Sequence, residues 1–322
     1  MPDMTDEQKT ELRPLAKALL EIFFLPPSPE SDFYADLDAV ITRLPAAFSD
    51  AAGAFRHNLQ SVTWTVGIPF FLASASESQK RFDFMHMAER IRALPATDDL
   101  QTTESTERQA LEEARRRMTD FVHSEDGVQV LSLGVCSFLV SVTENDAVRL
   151  AANELLRQGT VLVWGSLEVL VRDVFKAYLN ANPSSAMKLL EDPTARRRFP
   201  FKTIPLETLA EHQFDVSREM GGILTDAHDL GDLGSIKVFL KNLFPDSEGL
   251  RQALDQRELW LLNQRRHVIV HRRGIVDAKY LENTGDQADT GTRIRISPRD
   301  FERYLEIVRD VGVKLLNALL EQ

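Results

Sequence analysis

The sequence predicts an all-α fold, a helical bundle, and three observations carry that expectation. Apolar residues recur at three- and four-residue spacing, as in Phe33, Leu37, Val40, Ile41 and Leu44, the period that gathers one face of a helix. Helix-opening groups precede such runs at Thr5-Asp6-Glu7-Gln8, Thr143-Glu144-Asn145-Asp146 and Ser297-Pro298-Arg299-Asp300, where a short polar side chain can cap free backbone N–H groups. Stop signals follow them: Pro26-Pro27-Ser28-Pro29, Gly67 with Pro69, Asn182-Pro183, and Gly274. Strand-like alternation is confined to Thr290–Ser297, which is a candidate for one small β-hairpin.

Taken in order, the first helix runs from the Thr5 box toward Leu25, with Pro14 a kink point. Ser31–Leu44 is the second and Ala46–Val66 the third. Ser76–Leu94 follows, carrying Phe82, Met85, Ala88, Ile91 and Leu94. The polar, acidic stretch Pro95–Thr106 reads as a linker. Glu107–Val122 is a charged helix with Leu111, Met118 and Phe121 inward. Gly127–Val142, rich in Val and Ser, fits either a strand or a buried helix, and its helical neighbours favour the helix.

A long helix then extends to about Asn180. Trp164, Glu168, Val171 and Phe175 share one of its faces. A carboxylate in an apolar stripe is costly unless paired, which predicts an arginine or histidine against Glu168. The plainer alternative is a glutamate at the wet rim of the stripe. Asn182–Lys202 is a loop bearing Arg196, Arg197 and Arg198. Helices are expected at Leu206–Leu230, broken near Gly221-Gly222, and at Ser235–Phe244, Leu250–Arg273 and from Pro298 to Leu320. The main boundary falls near residue 143. It separates an N-terminal helical region (1–143), a regulatory or partner-binding domain or an extension of one helical body, from a second domain (144–322).

Of the 322 residues, 43% are hydrophobic, ample for a packed core. The lone Cys136 excludes an internal disulfide and a cysteine-rich zinc site. The opening residues lack the basic start and apolar core of a secretion signal. The longest apolar candidate for a membrane span, Val128–Val142, is interrupted by Ser132, Gly134, Ser137 and Ser141. A cytoplasmic protein without a membrane partner is expected. A net charge of −11 argues against diffuse coating of nucleic acid but leaves room for a local basic pocket.

That pocket has a clear candidate. Arg265-Arg266-His267-Val268-Ile269-Val270-His271-Arg272-Arg273-Gly274 concentrates four arginines and two histidines on one short element. Arginine binds phosphate in a fixed fork, and histidine exchanges protons near neutral pH. On a helix His267 and His271 share a face, and the long Arg266 side chain can reach the same spot. These groups suit cleavage of an RNA backbone. One takes the 2′-hydroxyl proton, another protonates the leaving 5′-oxygen, and arginine steadies charge on the phosphate. Two histidines and one arginine are few, so a symmetric dimer joining two such helix ends is the simplest way to complete the site. Basic residues at a helix C-terminus also arise for capping alone. A His-x-x-x-His zinc site is the weaker alternative, since Val268 stands where a metalloprotease needs glutamate. Phosphate-loop, dinucleotide and nucleophile-elbow motifs are absent from the sequence.

At these residues the chain resembles the HEPN superfamily of all-α ribonucleases, whose signature is arginine, a polar residue, three further positions and histidine. Here these are Arg266, His267 and His271. The run from Arg265 through Gly274 to Leu281, the helix around Trp164-Gly165-Ser166-Leu167-Glu168 and the closing helix look like the RiboL-PSP-HEPN branch. The likeness covers roughly Ala147 to Gln322. It implies a helical bundle and a homodimer with a composite active site. It also implies metal-independent RNA cleavage, without a cofactor, to 2′,3′-cyclic phosphate and 5′-hydroxyl ends. Members are frequent in toxin–antitoxin and antiviral systems, so an antitoxin or defence-system partner is expected. Arg266 and His271 are the implied catalytic pair, with His267 and Glu168 supporting, and Arg265, Arg272 and Arg273 on RNA phosphates. Arg273 stands where a nucleotide-regulated toxin branch carries tyrosine, which gives that mode of regulation no support. A non-catalytic HEPN-like scaffold that binds RNA or nucleotides is the competing expectation.

Overall fold

The computed structural model describes residues 19, 21–27, 32–93, 104–198, 203–227 and 230–321. These residues form fifteen α-helices and two short 3-10 turns without a β-sheet, so the chain is all-α as expected. Most of the helix expected from Thr5 toward Leu25 lies outside the described residues, and its expected end at 21–25 is turn and coil rather than helix; the core of the linker, at 94–103, also lies outside them. The chain divides into two compact units that are discontinuous in sequence. The first comprises 1–26, 66–154 and 297–299, and the second 27–65, 155–296 and 300–322. The helix-opening group at Thr143–Asp146 suggested a main boundary near 143, whereas the two compact units divide inside a helix at Glu154/Leu155 and 27–65 belongs to the second.

The helices of the second unit begin with α1 (Ala35–Ile41) and α2 (Ala46–Val66). Those of the first are α3 (Ile68–Ala93), α4 (Glu104–His123) and α5 (Glu125–Val142), which pack pairwise. The ambiguous stretch at Gly127–Val142 is helical because Ser124 caps it. The Ser124 side chain accepts from Gly127 N at 3.0 Å, with Glu125 and Asp126 in the first turn. Leu19, Phe23, Ala73, Val135, Leu139 and Ala152 form the core of this unit. Glu89, 8% exposed, is paired with Arg92 and Arg117, which meets the requirement on a buried carboxylate. As folded, α5 is 18 residues long with mean hydropathy 1.3. By length and composition it is the one helix among the described residues that could cross a bilayer.

The second unit is built on α6 (Asp146–Ala181), whose Val163, Trp164, Leu167, Leu170 and Val171 have no exposed surface. Phe175 meets Phe239 edge-on with ring centroids 4.5 Å apart. Burial of each such side chain contributes about 1.5–3 kcal/mol. The expected arginine-bearing loop is instead a pair of short helices, α7 (Ala186–Glu191) and α8 (Pro193–Arg198). They form because Asp192 accepts from Ala195 N at 2.5 Å and Leu189 and Ala195 are buried. Next come α9 (Leu206–Glu211), α10 (Met220–Ala227) and α11 (Leu233–Leu243).

The single helix expected over Leu250–Arg273 is two: α12 (Glu248–Asp255) and α13 (Arg257–His271). Gln256 is extended between them, while Asp255 is drawn to Lys237 at 3.0 Å and Lys241 at 2.7 Å. A short helix unforeseen in the sequence, α14 (Ala278–Thr284), follows, and α15 (Pro298–Leu320) closes the chain. Within this unit a Cβ on Gly312 of α15 would lie 2.2 Å from the Phe55 ring of α2, so only glycine admits that contact.

The hairpin expected at Thr290–Ser297 does not form. The alternation is nonetheless real, because Ile294 and Ile296 are buried while Arg293 and Arg295 are exposed. Its partner is the segment just after α13 rather than its own other half. Ile275 and Arg293 form an isolated antiparallel bridge, and Ile294 N donates to Gly274 O at 2.7 Å.

Candidate active site at the end of the basic helix

Helix α13 carries two different arginines side by side. Neighbouring helix positions point about 100° apart, so Arg265 falls on the inner face with Leu262 and Ile269, and Arg266 does not. Arg265 donates to Tyr304 Oη at 2.6 Å and to Tyr280 Oη at 3.4 Å, and pairs with Asp300 at 3.1 Å and Asp286 at 3.7 Å. Burial works against its charge. The oxygens of Tyr304 and Asp300 more than reverse that and hold the guanidinium above the ordinary arginine range. Tyr280, which donates to Asp286 at 2.8 Å, is pushed up to about 12, with burial the main cause. The sequence placed Arg265 among the RNA-binding residues, but its geometry makes it framework. It fastens α13 to α14 and α15 and offers little surface to a ligand.

Arg266 turns the other way. Its Nη2 lies 3.3 Å from Glu168 Oε1, with both side chains about one-fifth exposed. This is the cation expected against the carboxylate of the α6 stripe. The same Glu168 oxygen accepts from Trp164 Nε1 at 2.8 Å, and Trp164 Nε1 also reaches Gly231 O at 3.2 Å. Arg266 Nε is buried without a hydrogen-bond partner. One side of this guanidinium is therefore anchored and its Nε is unspent.

His267 and His271 stand ring against ring, centroids 4.8 Å apart and tilted by 46°. Both are exposed. Loss of water around its ring, and then the charges of His271, Arg266 and Arg272, lower the pKa of His267 below the usual histidine value. It is therefore a proton acceptor at neutral pH. The helix ends cleanly just beyond: Arg272 N and Gly274 N both donate to Val268 O at 3.0 Å. Gly274 adopts a left-handed φ of 75°, and Arg273 before it a φ of 55°. Arg273 is exposed, and Arg272 lies 3.5 Å from Asp277.

A cavity of about 350 Å³ opens beside this helix, lined in part by Arg266, His267 and Arg272. His271 lies one turn further along and is not part of its wall. The structure thus gathers Arg266, His267, Glu168 and Arg272, keeps His271 next to His267 in solvent, and takes Arg265 inside. The cavity also has residues that sequence reasoning missed. Asn263 and Gln264 come from α13, and Lys279, Tyr280 and Asn283 from the unforeseen α14. Two signals were available. Asn263, Arg266 and His267 are at helical spacing, and Asp277 and Gly285 bracket α14 as N-cap and left-handed stop.

No set of three or more His, Cys, Asp or Glu side chains that could hold a metal ion occurs among the described residues. Comparisons with protein-family models, with curated proteins and with solved structures find no match.

Proposed function

We propose that the chain is a metal-independent endoribonuclease of HEPN type, an effector or toxin of an antiviral or toxin–antitoxin system that acts as a homodimer. The observation that carries this reading is the Glu168-anchored Arg266 beside the exposed ring pair of His267 and His271. Arg266 would take the scissile phosphate and hold charge as it builds. A histidine accepts the proton of the 2′-hydroxyl, whose oxygen attacks phosphorus. The bond from phosphorus to the 5′-oxygen breaks, and a second protonated histidine gives that oxygen its proton. The products are a 2′,3′-cyclic phosphate and a 5′-hydroxyl, and no water is consumed. His271 of a second copy is the natural donor, because one copy offers few catalytic groups. Cleavage of RNA in excess EDTA tests this reading: cyclic-phosphate ends support it, while 3′-hydroxyl ends or a strict need for metal count against it.

The competing reading, an RNA- or nucleotide-binding scaffold without catalysis, draws on the same cavity and on the chain's net charge of −11. It predicts binding with intact RNA.

A further inference from the structure

The cavity beside α13 holds more than the proposed chemistry uses. Its floor includes Val268 and Tyr280, which are 2% and 3% exposed. Asn263, Gln264 and Asn283 stand around that floor, and among the described residues none of their side-chain amides is engaged by another group. Arg266, Arg272 and Lys279 supply positive charge along the same wall. Two carboxylates also line it, and both are already spent. Asp232 accepts from Ser235 N at 3.1 Å and pairs with Arg198. Asp277 accepts from Tyr280 N at 2.8 Å and faces Arg272.

Three unengaged amides above an apolar floor are an unusual combination for a site that binds phosphate alone. An amide presents a donor and an acceptor side by side, the pattern on the edge of a nucleobase. The buried Val268 and Tyr280 beneath the amides make the floor partly apolar, which suits a base better than a bare phosphate. The volume lies at the small end of the ~300–1,000 Å³ seen for ligand pockets, enough for one nucleotide and not for a duplex.

We infer that this cavity is a nucleobase-binding subsite that seats one unpaired nucleotide of an RNA strand through Asn263, Gln264 and Asn283, with its phosphate on Arg266. The inference rests on the endoribonuclease reading for its biological use, but the subsite is defined by binding and stands or falls separately. It makes single-stranded or looped RNA the substrate class, because a base in a duplex presents neither face nor edge to such a pocket.

The test is calorimetric titration of the full chain with each of the four nucleoside 5′-monophosphates, with ribose 5-phosphate and with inorganic phosphate. The expected result is that at least one mononucleotide binds about tenfold or more tightly than ribose 5-phosphate, the margin that one amide–base pair supplies. Asn263→Ala and Asn283→Ala, each first checked for wild-type melting, should narrow that margin. Equal affinity for ribose 5-phosphate, no binding of any mononucleotide, or a margin untouched by both variants would overturn the subsite. Mononucleotide binding by a protein that leaves RNA intact would keep the subsite and remove the ribonuclease reading. RNA cleavage without a mononucleotide margin would do the reverse.

Discussion

Arg266 Nη2 and Glu168 Oε1 meet at 3.3 Å although 98 residues separate them in the chain. The same carboxylate oxygen accepts from the indole of Trp164, so a single atom of α6 fixes the position of the arginine on α13. That arrangement turns a flexible side chain into a placed one. Phosphate recognition gains from it, because less conformational freedom remains to be lost on binding.

Glu168→Ala is expected to destabilise the fold by about 1–3 kcal/mol, since Arg266 loses its partner and Trp164 Nε1 keeps only Gly231 O. Glu168→Gln retains an acceptor for the indole and should cost less. Urea denaturation of the two variants measures the difference. Equal losses would mean that the hydrogen bond to the indole contributes nothing beyond the charge of Glu168.

The adjacent arginines should separate cleanly. Arg265→Ala removes the buried cation that Asp300, Asp286 and two tyrosines share, and about 3 kcal/mol of stability should go with it. Arg266→Ala should cost less than that, and its effect should appear in binding and cleavage of RNA. Thermal melts alongside RNA cleavage would show the two losses in opposite proportion. A similar loss of stability in both variants would contradict the division into framework and site.

His267 carries a pH signature. Its folded pKa lies below the free-histidine value of 6.5, so in the interval between them the unfolded chain binds more protons than the folded one. Stability therefore rises with pH across that interval and falls as pH drops from about 6.5 through the folded pKa. Melting temperatures from pH 5 to 8 should show a smaller acid-side loss in His267→Gln than in the wild type. Identical slopes would mean that the ring is not desolvated.

Gly274 ends α13 in the left-handed region, where a Cβ meets no close contact but the backbone is strained. Gly274→Ala should cost about 1–2 kcal/mol and loosen the turn that sets His271, as denaturation and the exchange of the Gly274 amide would report.

Much of this fold was legible before the structure, and the reasons for the rest are physical. Ala46–Val66 was read to the residue because proline and glycine bracket it. The bond from Glu168 was anticipated as a need for a cation, although only the fold could say which one. Three features escaped. The inward turn of Arg265 follows from its spacing with Leu262 and Ile269, but a cluster of like charges draws attention to its charge rather than its face. The hairpin at 290–297 was the right period with the wrong partner, because alternation fixes which residues face inward and not which segment they pair with. Helix α14 is seven residues long, too short for a periodic signal, and it brought Lys279, Tyr280 and Asn283 of the cavity wall with it. The split at Gln256 depends on Lys237 and Lys241 reaching Asp255 from another helix, which no local pattern contains.

The most direct measurement is cleavage of end-labelled RNA in excess EDTA by the wild type and by His271→Ala. Loss of cleavage in the variant, with cyclic-phosphate ends from the wild type alone, is the result predicted here. Equal cleavage by both would remove His271 from the mechanism and, with it, the claim that the end of α13 is the catalytic centre.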